Sequence, residues 1–119
     1  MNRWATSSLL GLLVLLCSAY TPRLSDAQAE RIATEARQIL ARHQSPGQVD
    51  GATLPPGIVS IRPKVVYVKP DGLYIQSATW FTQEWGLYVP RAANFSPSVG
   101  SDPRYELIRE GLYRYYIAG

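Results

Sequence analysis

Aromatic residues are concentrated in the second half of this chain, and this asymmetry is the feature that most constrains its fold. Of the 13 aromatic residues among 119, 11 lie between Tyr67 and Tyr116, where β-branched residues also become frequent. Aromatic and β-branched side chains fit the pleated surface of a sheet. The sequence therefore predicts that residues 58–119 are rich in strands.

The segment before this aromatic part has helical periodicity. Ser25 and Gln28 have the spacing of a capping box, in which each side chain bonds to the backbone of the other residue. Pro46 and Gly47 cannot continue a helix. We therefore expect an amphipathic helix over about residues 25–43, lying close against a sheet. Its apolar stripe consists of Ala29, Ile32, Ala33, Ala36, Ile39 and Leu40.

A loop and a hairpin are predicted to follow the helix. Residues 45–57 contain three prolines and three glycines, which indicates a loop. The strand candidates 64–69 and 73–78 are separated by the turn sequence Pro70-Asp71-Gly72. This arrangement predicts a β-hairpin.

The tripeptide Gly-Leu-Tyr occurs three times, beginning at Gly72, Gly86 and Gly111. A turn glycine followed by the first residues of a strand would produce this pattern. Each triplet is therefore interpreted as the start of a strand. The second and third triplets predict strands over residues 86–89 and 112–118.

The part between these two strands is predicted to be a loop over residues 91–103. Asp102 followed by Pro103 has the pattern of a helix cap with proline at the first helical position, so a single helical turn is expected over 102–108.

The elements together predict one α+β domain, residues 20–119. In this domain the N-terminal helix packs on a mainly antiparallel sheet of four or five strands.

Residues 1–19 have the pattern of a secretory signal peptide. Arg3 gives the start a positive charge, residues 9–16 carry no polar side chain, and Cys17-Ser18-Ala19 places small residues at the positions that signal peptidase reads. The expected location is the periplasm or the extracellular space. The alternative is a membrane anchor over residues 4–20, but spanning needs about 20 apolar residues and this segment falls short.

Cys17 also raises the alternative of a lipid-modified protein. That processing needs a small residue before the cysteine, and Leu16 occupies the position. Cys17 is the sole cysteine, so cleavage after Ala19 would leave a domain without thiol or disulfide.

Charge and composition disfavour several classes of function. The formal net charge of +3 falls to +2 without Arg3, which is too small for a nucleic-acid interface. His43 is the only histidine and has no acidic residues at ligand spacing, so no metal and no cofactor are expected. Its position near a helix C-terminus is explained by the helix dipole.

Glu84 is the one catalytic candidate, because it lies among large aromatic residues that can raise the pKa of a carboxyl group. A glycosidase-like site would need a second carboxylate about 5–10 Å away. The sequence does not choose between the possible partners. These are Asp71, Asp102, Glu106 and Glu110.

The number of large aromatic residues exceeds what one core face requires, which favours an aromatic binding surface. Arginine and aromatic residues are enriched at protein interfaces. The predicted binding residues are Trp80, Trp85, Tyr116, Arg114 and Arg91.

These residues predict an exported, non-enzymatic binding protein of the inhibitor, immunity or envelope-accessory type. Its expected partner is a protein or an envelope glycan. One alternative is a small envelope hydrolase that uses Glu84 as general acid or base. Another is a structural component of the envelope.

The signal-peptide pattern predicts that the mature protein begins at Tyr20. N-terminal sequencing and intact-mass measurement of the exported protein check this. A chain that retains Met1 would indicate the membrane anchor, and a lipid on Cys17 would indicate the lipoprotein route.

Overall fold

The computed structural model describes residues 23–119, which form one helix-and-sheet unit. The α+β class and the antiparallel sheet are confirmed, with six strands in the described part instead of four or five. The predictions for residues 1–22, including the signal peptide, lie outside the described residues. The elements are α1 (Asp26–Arg42), β1 (Gly47–Gln48), a 3₁₀ turn (Gly51–Thr53), α2 (Pro56–Ser60), β2 (Val65–Lys69), β3 (Gly72–Trp80), β4 (Gln83–Pro90), β5 (Arg104–Arg109) and β6 (Leu112–Ile117).

The sheet is an antiparallel meander with one exchange at its end. The strand order is β1-β2-β3-β4-β6-β5, so β6 lies between β4 and β5. The hairpin predicted around Pro70 is present, with Val68 paired to Leu73 and Lys69 paired to Gly72. Strand β4 pairs with β3 on one side and with β6 on the other, which makes it a central strand.

Helix α1 begins with the reciprocal hydrogen bonds of a capping box. The amide N–H of Gln28 donates to Ser25 Oγ at 3.2 Å, and the amide N–H of Ser25 donates to Gln28 Oε1 at 3.0 Å. One side of the helix is buried in an aliphatic core against the sheet. The helix contributes Ala29, Ile32, Ala33, Ala36, Ile39 and Leu40 to this core, and the sheet contributes Val66, Val68, Leu73, Ile75, Leu87, Val89 and Leu112.

The Gly-Leu-Tyr triplets do not all begin strands. Gly72 is the first residue of β3 and Gly111 directly precedes β6, but Gly86 lies inside β4. A Cβ atom on Gly86 would lie 2.0 Å from the carbonyl oxygen of Ile75 and 2.8 Å from the ring of Tyr115. The strand-start interpretation is therefore wrong for Gly86, which instead leaves room for a neighbouring ring.

The helical turn predicted over residues 102–108 is wrong, because Arg104–Arg109 is strand β5. Its residues pair with β6, and the Asp102 carboxylate accepts from the Ala118 N–H at 2.9 Å instead of capping a helix. Cross-strand pairing provides more hydrogen bonds than a single isolated turn, which explains why the local cap pattern fails.

The loop predicted over residues 45–57 contains β1, the 3₁₀ turn and the start of α2.

One buried carboxylate holds α2 in place. Glu35 of α1 is 8% exposed, and it accepts from the N–H groups of Gly57 at 3.1 Å and Ile58 at 2.9 Å. Arg31 supplies the opposite charge at 3.3 Å. Glu35 thus satisfies two N-terminal donors of α2 that have no partner within that helix.

Glu35→Ala is expected to lower the free energy of unfolding by roughly 2–4 kcal/mol, because it leaves two buried N–H groups without an acceptor. Chemical denaturation of the variant measures this loss. Glu30→Ala is the matched control on the exposed side of the same helix, where an ion pair contributes about 1 kcal/mol or less. Equal losses for both variants would contradict the capping role of Glu35.

Candidate functional site

The side of the sheet opposite α1 carries a cluster of tyrosines, which we call the tyrosine face. It consists of Tyr67, Tyr74, Tyr88, Tyr105, Tyr113 and Tyr115, with Phe95 from the loop after β4. The rings contact one another: Tyr67 and Tyr74 stack with centroids 5.1 Å apart, and Phe95 lies 5.1–5.3 Å from three tyrosine rings. The tyrosine face is thus largely buried by its own aromatic rings and Phe95.

Glu84 is the hydrogen-bond acceptor at one end of this face. The hydroxyl of Tyr115 donates to Glu84 Oε2 at 2.6 Å, and the hydroxyl of Tyr67 donates to the same oxygen. Two phenols from two different strands therefore meet on one carboxylate.

Asp71 has the same role for the other tyrosines. The hydroxyl of Tyr74 donates to Asp71 Oδ2 at 2.8 Å, and that of Tyr88 donates to the same atom at 3.0 Å. The hydroxyls of Tyr74 and Tyr105 are also hydrogen-bonded to each other, at 2.8 Å. The tyrosine face therefore contains two carboxylates, each shared by two phenols.

The environment of these phenols keeps them protonated. Burial raises the pKa of Tyr67 and Tyr115 above the ordinary value, and the hydrogen bond to the Glu84 carboxylate raises it further. Burial also raises the pKa of Tyr74, Tyr88 and Tyr105, with the negative charge of Asp71 adding to the effect. These hydroxyls are consequently hydrogen-bond donors at neutral pH and not nucleophiles.

Three of the four possible partner acids of Glu84 have other neighbours in the fold. Asp71 is committed to Tyr74 and Tyr88, Glu106 forms an ion pair with Arg114 at 3.6 Å, and Glu110 lies in the β5–β6 turn. Within residues 23–119, none of these three carboxylates accepts a hydrogen bond from Tyr67 or Tyr115, the two donors to Glu84.

Asp102 is the acid that is related to Glu84 through strand pairing. It bonds to the N–H of Ala118, the neighbour of Ile117, and Ile117 is paired with Glu84 across β4 and β6. A two-carboxylate arrangement on this sheet would therefore use Glu84 and Asp102.

Three of the predicted binding residues lie on the same side of the sheet as Leu87 and are mostly buried. Trp85 is 2% exposed and packs on Tyr116 with ring centroids 5.4 Å apart. Arg114 is paired in register with Leu87, and its side chain is 24% exposed. In this structure these side chains contribute to packing.

Arg91 caps the C-terminal end of α1. Its guanidinium donates to the carbonyl oxygens of Leu40 and His43, both at 3.0 Å. A cation at this position satisfies C-terminal carbonyls and complements the helix dipole. Arg91 directly follows the last residue of β4. Trp80 is the last residue of β3, at the opposite end of the β3–β4 pair, so the five predicted residues do not form one patch.

Trp80 is the aromatic residue of the predicted set that is exposed, and it has an exposed neighbour that the sequence did not point to. Trp80 is 61% exposed and Phe81 is 88% exposed, with their ring centroids 5.2 Å apart. They form the tip of the β3–β4 hairpin, where Trp80 pairs with Gln83 and only Phe81 and Thr82 make the turn. We call Trp80 and Phe81 the aromatic tip.

The backbone of Phe81 has an uncommon conformation. Its φ of 56° lies in the left-handed region, where glycine and asparagine are the favoured residues of a two-residue hairpin turn. A bulky aromatic residue there costs of the order of 1–3 kcal/mol. The sequence signal for this exposed, strained residue is that Phe81 and Thr82 connect two strands where glycine, asparagine or aspartate is usual.

No metal-binding group of three or more His, Cys, Asp or Glu side chains occurs within residues 23–119. Over the same residues, no helix has the length and apolar character needed to cross a membrane. Comparison of the chain with protein-family models, curated proteins and solved structures gave no match.

The raised tyrosine pKa values predict alkaline destabilisation. In the folded state these phenols keep their protons above pH 10, whereas in the unfolded chain they ionise near that pH. The unfolded state then binds fewer protons, so stability is full below about pH 10 and falls above it, by about 1.4 kcal/mol per pH unit for each retained proton.

Urea unfolding between pH 8 and pH 11, with absorbance of tyrosinate near 295 nm, measures this effect. Tyr115→Phe is expected to reduce the alkaline loss by the equivalent of one proton. Ionisation of every tyrosine near pH 10 in the folded protein would contradict the prediction.

Proposed function

We propose that this chain is an exported, non-enzymatic binding protein that inserts the aromatic tip into a protein partner, in the manner of an inhibitor. The observation that carries the proposal is the combination of exposure and strain at Phe81. This residue is 88% exposed and adopts φ 56°.

Folding alone does not account for a phenylalanine at this position. An exposed aromatic ring contributes no core packing, and glycine or asparagine would relieve the backbone strain. Strained residues cluster at functional sites, where the strain is part of the mechanism. Binding to a partner would bury the Phe81 ring, which the free domain leaves exposed, and this burial would offset the backbone strain.

The aromatic tip also has the composition of an interface anchor. A fully buried tryptophan or phenylalanine removes about 150–250 Å² from water, and such residues dominate binding energies at interfaces. The two rings already contact each other, so binding would bury them as one unit.

The hairpin that carries the tip is held by neighbouring elements. Lys64 Nζ donates to Thr79 Oγ1 at 2.7 Å, and Thr82 Oγ1 donates to the carbonyl oxygen of Ala118 at 3.4 Å. A loop that is fixed before binding loses less conformational entropy in the complex. A narrow, fixed turn fits a cleft of a folded protein better than the extended surface of a glycan.

The hydrolase alternative rests on Glu84 of β4 and on Asp102, which precedes β5; both lie near the C-terminal end of β6, on opposite sides of that strand. Each of these carboxylates already accepts hydrogen bonds from within the domain. Glu84→Gln separates the alternatives, because it would abolish hydrolysis and leave partner binding through the aromatic tip intact.

Truncation of the tip is expected to weaken partner binding by about 2 kcal/mol, or roughly thirtyfold in Kd. Trp80→Ala and Phe81→Gly test this with a partner captured from an envelope extract, identified and purified for titration. Phe81→Gly is also expected to raise the melting temperature, since it relieves the strain at φ 56°.

Val99→Ala is the matched control, because Val99 is a fully exposed apolar residue in the loop before β5. Equal affinities of the Phe81→Gly and Val99→Ala proteins would contradict the proposal. Binding to isolated envelope polysaccharide, lost in Trp80→Ala, would show instead that the partner is a glycan.

A further inference from the structure

A groove lies at the opposite end of β4 from the aromatic tip. It runs between α1, the residues that follow β4 and the β5–β6 turn, and has a volume of about 920 Å³. This is within the range of ligand-binding pockets, about 300–1,000 Å³. Its accessible apolar lining consists of exposed Leu107, Ala41, Ala92 and Ala93 and half-buried Phe95, whereas Ala33, Leu40, Val89 and Tyr113, which also line it, are at most 9% exposed.

The apolar lining is incompletely covered. Leu107 on β5 is 61% exposed, although residues that face a sheet or helix core are usually buried. It faces a groove that is also lined by small residues of α1 and the loop, among them Ala41 and Ala93. The small side chains leave the space open.

Two of the three arginines that line the groove have structural partners. Arg91 donates to the carbonyl oxygens of Leu40 and His43. Arg109 donates to the carbonyl oxygen of Asp26 at 3.0 Å and lies 3.9 Å from a carboxylate oxygen of Glu30. Their positions are set by the fold.

Arg37 is different. Its guanidinium donates one long hydrogen bond, of 3.4 Å, to the hydroxyl of Thr34, and among residues 23–119 no carboxylate oxygen forms an ion pair with it within 4.0 Å. The guanidinium lies near Gly111, and both residues line the groove. A guanidinium beside an apolar surface is suited to pair with a carboxylate or a similar oxyanion.

We propose that this groove binds a small anionic amphiphile, with the apolar body against Leu107, Phe95 and the exposed alanines and the anionic group at Arg37. Arg91, which also lines the groove, adds positive charge. Glu30 and Glu110 also line it, and Glu30 is adjacent to Arg109, so the groove favours one anionic group per ligand over a polyanion.

This proposal does not depend on the function proposed for the aromatic tip. Strand β4 is about 24 Å long at ~3.4 Å per residue, and the two sites lie at its opposite ends. Variants of Trp80 and Phe81 are therefore expected to leave ligand binding in the groove unchanged.

Isothermal titration with dodecanoate, below its micelle concentration, tests the proposal on the purified full-length protein. Dodecanoate is expected to bind at least about tenfold more tightly than dodecanol, because only the carboxylate can pair with Arg37. Arg37→Gln is expected to remove most of this difference. Arg42→Gln, which removes an equal charge from an exposed position of the same helix, is expected to retain it.

Ala41→Leu is a second variant that fills the groove without changing its charge. Ala41 is exposed, so the fold tolerates the larger side chain, and binding of dodecanoate is expected to fall. Equal binding of dodecanoate, dodecanol and dodecyltrimethylammonium would overturn the proposal. Equal losses for Arg37→Gln and Arg42→Gln would also overturn it.

Discussion

In each Gly-Leu-Tyr triplet, leucine and tyrosine project to opposite sides of the sheet, because neighbouring side chains of a strand alternate. Leu73, Leu87 and Leu112 are fully buried against the aliphatic core. The tyrosines that follow them join the tyrosine face. One short repeat thus buries both sides of the sheet, although a long helix covers only one side. A change of register by one residue would exchange the two sets and place phenols against α1.

Tyrosine makes this second buried face possible only where its hydroxyls have partners. A buried hydroxyl without a hydrogen bond costs about 1–3 kcal/mol. Glu84 and Asp71 accept from four of the phenols and so make the cluster stable without a second layer of helices. This role accounts for an acidic residue among large aromatics, the pattern from which the sequence predicted a catalytic group. Gly86 contributes by leaving space for the Tyr115 ring.

The sequence predicts the elements that are encoded locally. The capping box of α1 and the turn after Lys69 are set by residues within a few positions of each other, and both are present. Two features that depend on distant partners, strand β5 and the burial of Glu35, are not predicted by the sequence. Strand β5 forms because β6 offers hydrogen bonds, and Glu35 is buried because α2 brings two N–H groups to it.

The same distinction applies to the candidate site. The alternation of side chains along a strand indicates which residues share a side of the sheet, but it does not indicate what covers each side. Trp85 and Tyr116 were therefore predicted as exposed anchors, whereas both are buried. The exposed residue beside Trp80 is Phe81, whose left-handed backbone follows from a turn only two residues long.

The aromatic tip and the groove both depend on the rigidity of β4. A residue held at positive φ persists only where the surrounding structure determines its conformation. Pairing of β4 with β3 on one side and β6 on the other fixes the backbone on both sides of Phe81. At the other end of the strand, the same pairing fixes Val89 in the groove lining and places Arg91 against the last carbonyls of α1. The buried centre therefore supplies the stability that lets one end carry strain and the other leave apolar surface uncovered.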